Sequence, residues 1–374
     1  MNPAAARLLV RGVNWLGDAV MTTPALGRLR EAFPGAHLAL LTPAKLAELW
    51  RHHPALDSVL TFREGESPFA VARRLRQGNF SIALVLPNSP RSALEVFLAR
   101  IPQRVGHTRP WRNFLLTRLV RPPADECRMR KRSRREILRR IEAPNRTPFN
   151  PPPGAHHIYQ YLHLAAALGA NPAPLPPQIT VADDEVQAVR VRFALPSREG
   201  GALIFGLNAG AEYGPAKRWP RDRFVAAAVE LQRQTKCHWL IFGGTRDEPL
   251  ASAIAAEVAA ARSGPPGGVR CLAGQTSLRE LCAALRMCRL FLTNDSGPMH
   301  VAAAVGTPVV VPFGSTSPEL TAPGLPGDLR HRLLKASVPC SPCFLRSCPI
   351  DFRCMQGIST DAVVTAARQA LEAG

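Results

Sequence analysis

The stretch ARLLVRGVNWLGDAVMTTPALGRLREAFPG, residues 6–35, joins an apolar run to a helix through a turn bearing two glycines. ARLLVR (6–11) reads as a strand, GVNWLGD (12–18) as the turn, and about 19–33 as a helix that stops at Pro34-Gly35. A strand feeding a helix in this way opens a parallel sheet covered by helices. Outward from it, HLALLT (37–42) and SIALVLP (81–87) read as further strands, with FAVARRLRQ (69–77) as an amphipathic helix between them.

The alternation lapses from about 102 to 160, where basic residues, PPADE and NRTPFNPPPG suggest an insertion at a domain edge. A helix at 157–168 and the Pro-rich run NPAPLPPQ (171–178), a linker by composition, lead to a second alternating block. There GALIFGLNAG (201–210), HWLIFGG (238–244), RLFLTN (289–294) and TPVVVPF (307–313) read as strands, with helices at about 221–235, 247–262 and 297–306. The expected fold class is therefore α/β, with two Rossmann-like domains built on parallel sheets. The expected boundaries are 1–178 for the first domain, with a basic insertion at about 100–146, and 179–358 for the second. A final helix is expected over 359–374. Two such domains facing one another would bind ligands at the carboxyl ends of their strands, in an interdomain cleft.

The chain has 374 residues and is 46% hydrophobic, enough for two buried cores. Its longest apolar stretches, such as VAAAVGTPVVVPF (301–313), are too short to span a bilayer. The opening MNPAAARLLVRG lacks a secretory core, so a cytoplasmic location is expected. Lys and Arg number 47 against 28 Asp and Glu, a net +19 that points to a polyanionic partner. Residues 100–146 alone hold 15 Lys/Arg against 4 Asp/Glu, a local basic patch that reads either as a solvated loop or as a guide for an anionic acceptor. Of nine cysteines, five are scattered, as suits reduced thiols in a cytosolic protein.

Five constellations carry possible chemistry. Asp18 follows Gly17 at the turn into the first helix; it reads as a cap stabilised by the helix dipole, or as a carboxylate that takes a proton from an acceptor hydroxyl. No GxGxxG is present there, so dinucleotide redox chemistry loses support. In TNDSGPMHVAAAVG (293–306) a strand runs into a helix whose start holds Asp295, Ser296, Gly297 and Pro298, with His300 one turn on. That arrangement reads as a phosphate cradle, or as a plain capped helix with a packed histidine. In NAGAEYGPAKRWP (208–220), Lys217 and Arg218 are placed to neutralise a diphosphate leaving group, unless they are ordinary surface cations. FGGTRDE (242–248) and AGQTSLREL (273–281) read first as turns and caps; Thr245, Glu248, Thr276 and Leu278 are their candidates for contact with a nucleoside. Finally, Cys340, Cys343, Cys348 and Cys354 fall within fifteen residues, as a structural zinc site or as a packed loop of reduced thiols.

Four stretches resemble one family: RGVNWLGDAVMTTPALGRLREAFP (11–34), NAGAEYGPAKRWP (208–220), TNDSGPMHVAAAVGTPVVVPFGSTSPELTAPG (293–324) and CSPCFLRSCPIDFRCMQGIS (340–359). They look like the ADP-heptose:lipopolysaccharide heptosyltransferases, the second and fourth like type II members. The resemblance implies a GT-B fold whose last helix, here 359–374, crosses back onto the first domain, and inverting transfer of heptose from ADP-heptose, with no cofactor and no catalytic metal. It implies Asp18 as general base, Lys217 with Ser296 and Gly297 on the diphosphate, Asp295 on donor hydroxyls, and the segments at 242–248 and 273–281 on adenosine. Gly17, Asn14, Arg109 and Arg112 are the candidate acceptor contacts. The implied acceptor is a Kdo- and heptose-bearing lipid A at the inner face of the cytoplasmic membrane, to which the enzyme would be peripheral. The alternatives are a heptosyltransferase of type I, another nucleotide-sugar transferase such as one using a UDP-sugar, an epimerase on the same fold, and a nucleic-acid-binding protein. The last is disfavoured because only Trp111 and Phe114 interleave the basic segment.

Overall fold

A computed structural model describes residues 6–143, 149–196, 202–261 and 268–373. The chain divides into two units, the first of residues up to Glu126 with Pro152–Thr180, the second of Cys127–Pro151 with the residues from Val181 onward. In chain order the first part carries β1 (Arg7–Arg11), α1 (Leu16–Met21), α2 (Thr23–Ala32), β2 (His37–Pro43), β3 (Ser58–Phe62), α3 (Pro68–Gln77), β4 (Ile82–Val85), α4 (Pro90–Leu98), β5 (Gln103–His107), β6 (Arg118–Val120), α5 (Arg134–Glu142) and α6 (His157–Ala166). There follow α7 (Asp183–Arg192), β7 (Ile204–Asn208), α8 (Arg221–Thr235), β8 (His238–Ile241), α9 (Glu248–Ala260), β9 (Val269–Cys271), α10 (Leu278–Met287), β10 (Leu290–Thr293), α11 (Gly297–Ala304), β11 (Val309–Phe313), α12 (Pro318–Thr321), β12 (Arg332–Lys335), α13 (Arg353–Gln356) and α14 (Thr360–Glu372).

Each unit holds a six-stranded sheet, in the orders β3-β2-β1-β4-β5-β6 and β12-β11-β10-β7-β8-β9. Among the described residues the paired strands run parallel, with Val10 opposite both Leu40 and Leu84, and Leu207 opposite both Ile241 and Leu292. The expected α/β class is what forms. Central strands covered on both faces must be apolar on both, and Leu8, Leu9 and Val10 are fully buried, as are Phe205 and Leu207. In both sheets the order reverses beside the first strand, at β1/β4 and at β7/β10. Parallel sheets bind ligands outside the carboxyl ends of such strands.

Four expectations change. The first helix begins at Leu16, so Gly17 and Asp18 lie in its first turn, and it divides at Thr22 because Pro24 has no N–H to continue the ladder. The basic stretch is not one insertion. Residues 103–107 and 118–120 complete the first sheet as β5 and β6, the latter an edge strand that tolerates charge. Further on, Ser133 caps α5, Ile137 is buried against Cys340 and Cys343, and Arg132 donates from its N–H to the Cys343 carbonyl and from Nη1 to the Cys340 carbonyl, all within the second unit. The last helix packs on α8 and over β10, β11 and β12 of the second unit, because Val363, Ala367 and Ala370 form an apolar stripe that this sheet buries completely.

Candidate active site

In the second unit the loops after β7, β10 and β11 converge on one carboxylate. Lys217 Nζ lies 2.6 Å from Asp295 Oδ2, and Thr316 Oγ1 donates to the same oxygen at 2.5 Å. The Asp295 side chain is buried, whereas that of Lys217 stays 14% exposed. An ammonium has three donors, so Lys217 held by Asp295 keeps hydrogens for a second anion.

The loop bearing Lys217 is fixed from several sides. Asn294, fully buried after β10, accepts from the Trp219 N–H at 2.9 Å and donates to the Ala209 carbonyl at 2.8 Å. Gly214 sits at φ +147°, and a Cβ there would lie 2.5 Å from the Arg346 carbonyl oxygen. The Tyr213 hydroxyl donates to the Phe344 carbonyl at 2.7 Å, and its ring lies 5.0 Å from Lys217 Nζ.

Ser296 precedes α11 in an extended conformation and makes no side-chain capping bond, contrary to the plain-cap reading. Asn208 at the end of β7 donates from Nδ2 to Ser296 Oγ at 3.4 Å. The first turn of α11, at Gly297 and Pro298, therefore stands beside the Lys217–Asp295 pair, where the positive end of its dipole favours negative charge. His300 is buried within α11. The two nucleoside candidates meet: the Gly274 N–H donates to the Gly243 carbonyl at 3.0 Å, and a Cβ on Gly274 would lie 3.4 Å from Thr245 Cα and 3.6 Å from Glu248 Oε2. Thr245 and Glu248 are exposed, whereas Thr276 and Leu278 are half-buried where α10 begins.

In the first unit, Asp18 is not a cap. Trp15 holds the N-cap position, and Asp18 Oδ1 instead accepts from the Tyr161 hydroxyl at 3.2 Å and lies 3.7 Å from His157 Nδ1. Burial, and then the charge of Asp18, push the Tyr161 hydroxyl well above its ordinary pKa, so it remains a donor across the physiological range. Sequence reading missed both partners. Their spacing, one helical turn apart on α6, was the available signal.

Buried Arg11 donates to Glu95 Oε2 at 2.8 Å, to the Gly12 carbonyl at 2.6 Å and to Asn14 Oδ1 at 3.0 Å, which orients exposed Asn14 beside the turn. The two arginines expected to contact an acceptor are placed otherwise. Arg109 pairs with Glu126, and Arg112 is wholly buried, where its guanidinium donates to the Pro87 carbonyl and loss of solvent lowers its pKa to about 10. Tertiary packing against Gly106 on β5 draws Arg112 inward.

Cys340, Cys343, Cys348 and Cys354 line one small cavity in the second unit. Burial raises the pKa of Cys340 and Cys343 and pushes Cys354 up to about 12, so these three are neutral thiols near neutral pH. Among the described residues, no three His, Cys, Asp or Glu side chains are grouped as a metal ion requires.

Comparison with known proteins places this geometry. Residues 129–352 match glycosyltransferase family 9 (heptosyltransferase). The chain belongs to that family. Among its relatives, the lipooligosaccharide heptosyltransferase 2 of Haemophilus ducreyi is 30% identical over 329 residues, 85% of this chain and 86% of that protein. The lipopolysaccharide heptosyltransferase 2 of Salmonella typhimurium is 29% identical over 330 residues, 85% of each. The solved structure of the E. coli ADP-heptose lipopolysaccharide heptosyltransferase II is similar with a TM-score of 0.74 and 25% identity, covering 98% of this chain and 99% of that one. The two Rossmann-type units are accordingly those of a family 9 glycosyltransferase with the GT-B fold.

Proposed function

We propose that this family 9 glycosyltransferase moves heptose from ADP-L-glycero-D-manno-heptose onto the first heptose of the lipopolysaccharide inner core, inverting the anomeric centre, as a heptosyltransferase II. The observation that carries the chemistry is the Lys217–Asp295 pair at the switch point of the second sheet, 2.6 Å apart beside the start of α11. Cleavage of the donor leaves ADP, and Lys217 with the α11 N–H groups opposes the charge that develops on its diphosphate. With that charge met by the chain's own cations, no metal or other cofactor is needed. Asp295, buried and already held by Thr316, offers its carboxylate to Lys217 and to hydroxyls of the sugar. Thr245, Glu248, Thr276 and Leu278 would flank the adenosine.

Asp18 is the general base. The acceptor hydroxyl gives its proton to the carboxylate as the oxygen attacks the anomeric carbon, and the ADP oxygen departs with the bonding electrons on the opposite side. Tyr161 and His157 hold that carboxylate in place. The type II assignment rests on the likeness to heptosyltransferases 2, and the acceptor is accordingly a glycolipid presented at the inner membrane surface, with the enzyme peripheral to it. No described helix is long and apolar enough to cross a membrane.

The test is ADP release from ADP-heptose by purified protein with acceptors carrying either no heptose or one. Release with only the singly heptosylated acceptor, slowed by about a thousandfold in Asp18→Asn while ADP binding persists, is the expected result. Release with the heptose-free acceptor alone would make this a type I enzyme, and release from a UDP-sugar in place of ADP-heptose would overturn the donor.

A further inference from the structure

One edge of the first unit exposes large apolar side chains: Trp111 at 85%, Phe114 at 75%, Leu119 at 46% and Phe97 at 41%. Single exposed apolar residues are ordinary, but a contiguous group marks a binding surface. The elements that carry them adjoin one another. Arg104 on β5 lays its guanidinium 5.4 Å from the centre of the Phe97 ring and donates from Nε to the Leu115 carbonyl at 2.7 Å, so the end of α4 and the turn at 113–115 flank one cation. Leu119 lies on β6, opposite Gly106 of β5.

The exposure is built in by the loop joining β5 to β6. Arg112, between the two aromatics, is its buried anchor, and Asn113 Oδ1 accepts from the Arg109 N–H at 2.9 Å. Trp111 sits at φ +69°, a left-handed conformation that costs about 1–2 kcal/mol for a residue with a Cβ. Anchored on its far side and strained at its tip, the loop carries the indole outward.

The segment that forms this edge is basic, and although Arg109 is paired with Glu126 its other arginines include exposed ones. From Arg100 to Arg121 the sequence has six arginines and no acidic residue, and Arg100, Arg118 and Arg121 are exposed. Aromatic rings belong at the boundary between headgroups and acyl chains, and basic residues beside them are attracted to anionic lipid.

We propose that this edge, with Trp111 and Phe114 as its anchors, is a membrane-docking surface that seats the first unit on an anionic bilayer. The inference deepens the acceptor reading above and rests on it for its purpose, but the binding is measured without donor or acceptor, so the two fail separately.

The test is flotation of the full-length protein with vesicles of phosphatidylethanolamine and phosphatidylglycerol, and with vesicles of phosphatidylcholine alone. The expected result is binding to the anionic vesicles, weakened about tenfold in a Trp111→Ser/Phe114→Ser variant and by a similar factor in Arg118→Glu/Arg121→Glu. Tryptophan emission should shift to the blue on binding, and Trp111→Phe should abolish that shift while binding persists. Both double variants should keep wild-type transfer to a soluble, lipid-free acceptor fragment. Anionic-vesicle binding that is absent, or unaltered in both double variants, would overturn the proposal. So would capture of RNA in place of vesicles, or loss of transfer to the soluble fragment.

Discussion

At the scale of single residues, the proposed function rests on two carboxylates that the fold treats differently. Asp295 is buried and paired with a lysine, whereas Asp18 keeps part of its surface in water and takes its hydrogen bond from Tyr161. Replacing Lys217 with Ala removes the cation nearest the proposed diphosphate and should lower kcat/KM for ADP-heptose by about a hundredfold or more, with the circular dichroism spectrum unchanged. A steady-state rate close to wild type in that variant would remove Lys217 from the donor site. Tyr161→Phe asks a subtler question, since a donated hydrogen bond favours the ionised carboxylate. Its loss should move the acid limb of the pH–rate profile to higher pH with little change in KM for the donor. A profile that keeps its position would mean that Tyr161 only packs.

At the scale of elements, the loop from β7 to α8 depends on the segment that follows β12. The Ala216 N–H donates to the Arg346 carbonyl at 2.9 Å, and Gly214 leaves no room for a Cβ against the same carbonyl. Gly214→Ala combines a positive φ with a backbone clash, which should destabilise the second unit by about 1–3 kcal/mol and displace Lys217. Thermal unfolding together with donor KM checks this, and an unaltered melting temperature and KM would show that the loop relaxes freely. The cysteine segment thus acts on the site through its backbone. That is a role the spacing of four thiols does not announce.

For the whole molecule, acid stability follows in part from histidines that burial keeps neutral, among them His107 in the first unit and His331 in the second. Burial lowers His107 and His331 to about 4, so between about pH 6.5 and 4 the unfolded chain binds protons there that the folded chain does not. Each histidine therefore withdraws stability as pH falls through that window, up to roughly 3 kcal/mol. Calorimetry between pH 7 and 4 should show the melting temperature falling, with a shallower slope in His107→Gln and His331→Gln. Equal slopes in the variants and the wild type would assign acid sensitivity to other groups.

What the sequence determined alone is the α/β class and the strand ends on which Asp295, Ser296 and Lys217 gather. Fully buried parallel strands show as unbroken apolar runs, and the residues that follow such a strand directly, such as Asp295 and Ser296, are placed by the strand itself. Lys217 was legible for a related reason, because its loop leaves the first strand of the second sheet. Only the tertiary structure decided the rest. Tyr161 reaches Asp18 across 143 residues, Thr316 joins Asp295 from another strand, and Arg112 turns inward against a glycine of β5. The basic stretch divides between the two units and the last helix covers the second sheet, because those choices are made by apolar surfaces far apart in the chain, which no local periodicity records.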